Sequence, residues 1–175
     1  MIPATAYTSF VKDTARSLGF DYCGISKARK LDADARRLEN WLHKGYQGSM
    51  SYMDHYFDLR IDPSRLVPGA RSVITLLLNY YPSVQQNPEA PQVSKYAYGK
   101  DYHEVIKSKL KIFLQLLKDQ IGEISGRGFT DSAPVLERSW AAESGLGWVG
   151  RNGNLITREK GSFFFIATLI TDLEL

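Results

Sequence analysis

The residues from Gly128 to Thr157, GFTDSAPVLERSWAAESGLGWVGRNGNLIT, hold the side chains of this sequence best placed to do chemistry. A short apolar lead-in ends at Asp131, and Pro134 opens a helix a few residues later. A carboxylate at the end of a strand, beside a helix start, is a frequent position for a catalytic acid in a layered α/β protein. Asp131 or Ser132 equally suits the role of helix cap, so both readings stand on the residues alone. Gly145, Gly147 and Gly150 have the spacing of a nucleotide loop, but they end a helix instead of opening one, which is the wrong context. No serine or cysteine triad and no zinc-ligand spacing is apparent among the three histidines and one cysteine. What remains is an aromatic surface, polar loops and one well-placed carboxylate. That profile suits a site where a cofactor does the difficult step and the protein supplies position and a proton.

The elements that must position these groups follow from periodicity. Tyr7, Phe10, Val11, Ala15 and Leu18 recur at helical spacing over 5–18, and Gly19 terminates the run. FDYCGIS is a short strand. LDADARRLENWLHKGY is a second helix ended by Gly45, with His43 at the negative end of its dipole. In 45–60, Met50, Met53 and Phe57 share a helical face. That face is either core or a soft aromatic wall for a large flat ligand. RSVITLLLNYY is an apolar, β-branched run expected to be a strand buried on both faces at the centre of a sheet. PSVQQNPEAPQVS is a surface loop. Asp101 and Glu104 have capping-box spacing at the head of a long helix to about Ile121. Tyr96, Tyr98, Tyr102 and His103 make its aromatic entry, packed or functional. GRGFTDS is a strand, 134–144 a helix with Val135, Leu136 and Trp140 inward and Glu137, Arg138 and Glu143 outward, and NLITREKGSFFFIATLIT a hairpin. The expected fold is a single α/β (α+β layered) domain, a mixed β-sheet covered by helices.

DSAPVLERSWAAESGLGWVGRNGNLI resembles the signature of epoxyqueuosine reductases, and GYQGSMSYM, RIDPSRLVPGARSVI and KYAYGKDYHEVIKSKL resemble the same family in the same order. The resemblance covers nearly all 175 residues and is to the family's N-terminal, cobalamin-binding (DUF1730-type) domain. The sequence departs from the family pattern at Arg151, where lysine is usual, and at Gly153, where a larger polar residue is usual.

The resemblance implies a cobalamin-dependent enzyme that reduces the epoxide of epoxyqueuosine, at the wobble position of certain tRNAs, to the alkene of queuosine. It implies two 4Fe–4S clusters in the full-length protein, carried in a ferredoxin-like segment after the point where this sequence stops. With Cys23 alone, this chain holds neither cluster, and the isolated fragment is expected to be inactive without them. Asp131 matches the family's catalytic aspartate. The oxygen leaves as water, which needs a proton donor, and burial of Asp131 against Phe129, Trp140 or the corrin would raise its proton affinity. The implied cofactor contacts are Arg60, Tyr96, Asp131, Asn154, Leu155, Ile156, Thr157 and Ser162, with backbone amides of 154–157 holding corrin amides. Arg60 is otherwise an ion-pair partner for Asp58 or Asp62. Arg138 and Lys100 are candidates for tRNA phosphate contact. The implied partners are tRNA bearing epoxyqueuosine and an electron-donor protein or reductant.

Composition sets the outer bounds. The chain is 43% hydrophobic and 23% charged, with a net charge of +3 and a pI near 8.9. These are values of an ordinary globular protein, mildly basic. No window reaches the roughly 18 apolar residues of a membrane span, and the N-terminus lacks the apolar run of a secretory signal, so a cytoplasmic setting and no membrane partner are expected. Two other readings fit the residues: a small-molecule cobalamin- or flavin-dependent reductase on a similar fold, and a non-enzymatic binding module whose aromatic wall docks a protein.

Overall fold

A computed structural model describes residues 4–131 and 133–175. Helix α1 (Ala4–Ser17) leads into β1 (Tyr22–Lys27), then α2 (Asp32–His43) and the short helices α3 (Tyr52–His55) and α4 (Phe57–Ile61). Strand β2 (Ser72–Asn79), helix α5 (Tyr102–Ile121), β3 (Gly126–Phe129), α6 (Glu137–Glu143), β4 (Trp148–Val149), β5 (Leu155–Ile156) and β6 (Phe164–Thr171) complete the chain. Gly19 takes φ 81° after α1 and Gly45 takes φ 69° after α2. Both helices therefore stop where a residue without a Cβ adopts the left-handed conformation.

The main sheet has the order β1-β2-β6-β3. Ile74 faces Leu169 and Leu76 faces Ala167 in the β2–β6 register, and these four pack against Val11 and Ala15 of α1 and Ile106, Leu110, Phe113 and Leu117 of α5. The alternate residues, Val73, Leu77 and Ile170, face the opposite layer, where Trp140 and Ala141 of α6 cover them. β2 is thus buried on both faces between two neighbours, as its composition predicts. The layered α/β class is the expected one. Every pairing in its main sheet is antiparallel, so the parallel component of a mixed sheet is not seen among the described strands.

The expected hairpin is replaced by a longer-range arrangement. β5 pairs with β4, not with β6, while β6 enters the centre of the main sheet. Only the tight turn between them survives: the Thr157 N–H donates to the Gly161 carbonyl at 2.8 Å. The reason is steric as well as hydrophobic. A Cβ on Gly147 would lie 2.1 Å from the Ile156 carbonyl oxygen, so only glycine lets the chain after α6 lie against β5. A Cβ on Gly24 would lie 2.3 Å from Ser144 Oγ, which lets the end of α6 press onto β1.

Residues 45–60 are not core. Tyr46, Tyr52 and Tyr56 are 64%, 52% and 51% exposed, and α3 buries no residue. In the Met50–Met53–Phe57 stripe, Met50 is exposed and Met53 and Phe57 are half-buried, and none of the three joins a buried core cluster.

Candidate active site

Helix α6 begins at Glu137, three residues later than Pro134 suggests, and its N-cap is Leu136, with no side-chain cap. Asp131 does not cap this helix. It sits after β3 with φ 51°, the one non-glycine residue with positive φ among those described. Such a conformation costs an L-residue about 1–2 kcal/mol and persists only when its surroundings hold it.

Three contacts surround Asp131. The Tyr102 hydroxyl, at the first residue of α5, donates to Asp131 Oδ2. His103 Nε2 lies 3.7 Å from the same oxygen, while His103 Nδ1 is 2.8 Å from Asp101 Oδ1. The Asp131 backbone N–H donates to Glu137 Oε1 at 3.1 Å. Tyr102 is fixed by a parallel stack on Phe165 of β6, with centroids 4.0 Å apart and planes 6° off parallel. Asp101 accepts the His103 N–H at 2.9 Å as the N-cap of α5. So the head of α5 and the centre of the sheet together place the hydroxyl that meets Asp131. Burial first, and then the hydrogen bond and charge of Asp131, push the Tyr102 phenol upward, so it stays a donor at neutral pH.

The expected burial of the Asp131 carboxyl is not present: its side chain is 49% exposed. Phe129 and Trp140 are buried beneath, in the core of the α6 layer. The more enclosed carboxyl is Glu137, which is half-buried. Burial, and secondly the charge of Asp131, raise Glu137 to about 8. The sequence reading set Glu137 outward because it began the helix three residues early, which turns the helical wheel.

Asp131, Glu137 and Arg138 line two clefts at once. The smaller, about 390 Å³, is walled by Tyr80, Tyr96, Tyr102, Asn154, Ser162 and Phe165. The larger, about 1030 Å³, includes Tyr52, Arg60, Trp148 and Val149. Asp131 therefore stands where the two meet. Of the sequence-derived contacts, Tyr96, Asn154, Leu155 and Ser162 come together in the smaller cleft and Arg60 lies in the larger. Ile156 and Thr157 line neither. Thr157 is buried, and its hydroxyl is used by the Gly161 carbonyl and the Lys160 N–H. The amides of Asn154 and Thr157 are also taken, by Asn152 Oδ1 and the Gly161 carbonyl, so they are not free for a ligand.

Arg60 has neither of the aspartate partners considered for it. Asp58 pairs with Arg65 at 3.7 Å, and Asp62 accepts from Ser64. The Arg60 Nε is buried without a hydrogen-bond partner, and its Nη2 reaches only the Tyr52 carbonyl, at 3.3 Å. Burial lowers its proton affinity, though a guanidinium stays charged. Arg138 donates to the Gly153 carbonyl. His55 lies in a separate depression with His43 and Asp54, and Cys23 packs against the α1–α5 core, its thiol pushed up to about 12 by burial. No group of three metal-ligating side chains occurs among the described residues, and no described helix is long and apolar enough to cross a membrane. Tyr102 and His103, which the sequence leaves between packing and function, both lie beside Asp131, whereas Glu137 is a site residue that the sequence places outward.

The family model described as epoxyqueuosine reductase QueG, DUF1730, matches residues 60–132. An epoxyqueuosine reductase of Cyclobacterium marinum is 56% identical over 171 residues, covering 97% of this chain and 55% of that protein. The chain is similar in fold to an epoxyqueuosine reductase crystallised with a tRNA-Tyr epoxyqueuosine-modified stem loop, with a TM-score of 0.85, 27% identity, and 97% and 46% of the two chains covered. A reductive dehalogenase, whose structure suggests a mechanism for B12-dependent dehalogenation, shares the fold alone, with a TM-score of 0.52, 17% identity, and 93% and 19% of the chains covered. The chain spans about half the length of the curated relatives it matches. Its sequence and its fold agree over almost every residue, and the chain belongs to the epoxyqueuosine reductase family.

Proposed function

We propose that this chain is the cobalamin-binding catalytic domain of an epoxyqueuosine reductase, acting on epoxyqueuosine in tRNA. The single observation that carries the reading is the position of Asp131 at the junction of two clefts. A cofactor in one and a modified nucleoside in the other would meet at its carboxyl.

The residues suit a large, amide-rimmed cofactor held by its edges. Arg60 brings an unpartnered guanidinium N–H, Ser162 and Asn154 bring small polar groups, and Tyr96 brings an aromatic face. Among the described residues, the lining of the two clefts contains no histidine and no cysteine. Cobalamin, when bound, supplies the reductive chemistry. Electrons come from a reductant or donor protein through two iron–sulfur clusters whose thiolates lie outside these 175 residues, since Cys23 is the sole cysteine.

The remaining work is proton transfer and placement. Converting an epoxide to an alkene takes two electrons and two protons, and the oxygen leaves as water. Asp131 delivers a proton to that oxygen, with Tyr102 fixing its carboxyl. A ligand covering the clefts would exclude water from the half-exposed Asp131 carboxyl, which favours the protonated form that can donate.

Titration of the chain with cobalamin and with flavin mononucleotide, followed by visible absorbance, tests this. Saturable cobalamin binding with a shifted spectrum is the expected result. Binding of flavin alone would mark a small-molecule flavin reductase, and binding of neither would mark a non-enzymatic module. Both outcomes overturn the proposal.

A further inference from the structure

We propose that Glu137 is the positioning residue of this site, holding the Asp131 loop in its left-handed conformation through the Asp131 backbone N–H. This rests on the reading above in taking Asp131 as the proton donor.

Three observations converge on it. Among the described residues, Asp131 is alone in adopting positive φ without being glycine, so something must compensate that strain. Its N–H donates to Glu137 Oε1 at 3.1 Å. Glu137, in turn, has no salt bridge among the described residues, although its side chain is half-buried and drawn out of water. A desolvated carboxyl without an ion pair is expensive, and a glutamine would give the same acceptor without the charge. An ionisable group kept in that place fits a role in which its charge matters. The carboxylate is the stronger acceptor of the Asp131 N–H and tightens the loop.

The groups facing Glu137 are few. Asp131 and Tyr102 approach from the loop and from α5, and Arg138 follows it on α6. Around the larger cleft, Asp34 and Arg37 pair with each other at 2.8 Å, Glu143 pairs with Arg29, and Arg60 has no carboxylate partner. Asp131 and Glu137 are therefore neighbouring carboxyls, with Arg138 beside Glu137 and His103 Nε2 3.7 Å from Asp131 Oδ2.

Carbon-detected NMR of the chain tests the coupling, following Asp131 backbone 15N and Glu137 13Cδ between about pH 5 and about pH 10. Both nuclei are expected to move with a shared midpoint, near 8. In E137Q the Asp131 step is expected to vanish, while its 13Cα and 13Cβ shifts keep the left-handed signature. In E137A the signature is expected to be lost as well. An Asp131 step that persists in E137Q, or a left-handed signature that persists in E137A, would overturn the inference. The wild-type titration decides the matter even if E137A does not fold: no shared step overturns it. Cobalamin added to the same sample separates the two claims. A shared step without cobalamin binding overturns the functional reading and supports the coupling, whereas binding without a shared step overturns the coupling alone.

Discussion

The Tyr102 hydroxyl donates a hydrogen bond to Asp131 Oδ2, joining the first residue of α5 to the loop after β3. The two residues are 29 apart in sequence, and the contact exists because Tyr102 is stacked on Phe165 at the centre of the sheet. The phenol is raised by burial first and by the Asp131 hydrogen bond and charge next. Asp131→Asn removes the charge and keeps the shape. Tyr102 should then ionise at lower pH than in the wild type, yet above a free tyrosine because burial persists. Tyrosine 13Cζ titration reads this directly, and an unchanged Tyr102 would mean that the bond is not formed.

Glu137 gives the stability of the protein a characteristic pH dependence. Its folded value, about 8, lies above the ordinary 4.5, so the folded state holds a proton that the unfolded state releases. Stability from this group is fully present below about 4.5 and is lost as pH rises to about 8. At 1.36 kcal/mol per unit the loss is on the order of 5 kcal/mol. Glu137→Gln does not ionise. The difference in unfolding free energy between it and the wild type should therefore grow in its favour from about pH 5 to about pH 8 and then level off. Urea unfolding at several pH values measures it.

Arg60 is nearly dispensable for folding, since its one hydrogen bond is a 3.3 Å contact with the Tyr52 carbonyl. Arg60→Ala should leave the unfolding midpoint within experimental scatter. It should weaken cobalamin binding by about tenfold, equivalent to about 1.4 kcal/mol. Equal affinities in the two proteins would remove Arg60 from the cofactor site.

Gly147 carries the wall of the larger cleft. Any Cβ there meets the Ile156 carbonyl oxygen at 2.1 Å. Gly147→Ala should cost roughly 3 kcal/mol by forcing β4 away from β5, and should open the cleft beside Trp148. Chemical denaturation reports the first effect, and quenching of Trp148 fluorescence by iodide reports the second.

Much of the frame was legible from local pattern. The α1 and α5 stripes, with Val11, Ala15, Ile106, Leu110, Phe113 and Leu117 inward, follow from helical spacing, and the apolar run of β2 marks a central strand. The errors lie where distant residues decide. β5 looks like the first strand of a hairpin, but Trp148–Val149 claims it and β2 claims β6. Met50, Met53 and Phe57 have core spacing, yet none of them enters a buried core cluster. Pro134 marks a helix start that the structure delays to Glu137, and those residues turn an outward glutamate into the half-buried carboxyl beneath Asp131. Asp131 itself was legible through its place in the motif. Its left-handed backbone and its contact with Tyr102 were not, because the first has no signature in residue type and the second depends on an element 29 residues earlier.

The most direct test of the account is single-turnover reduction of an epoxyqueuosine-bearing tRNA stem loop. The cluster-bearing full-length protein would be loaded with cobalamin and reduced chemically with titanium(III) citrate, comparing the wild type with Asp131→Asn at neutral pH. Loss of a positioned general acid should slow queuosine formation by about 10²- to 10⁴-fold, with cobalamin binding unchanged. Equal rates in the two proteins would contradict the role of Asp131 as the proton donor.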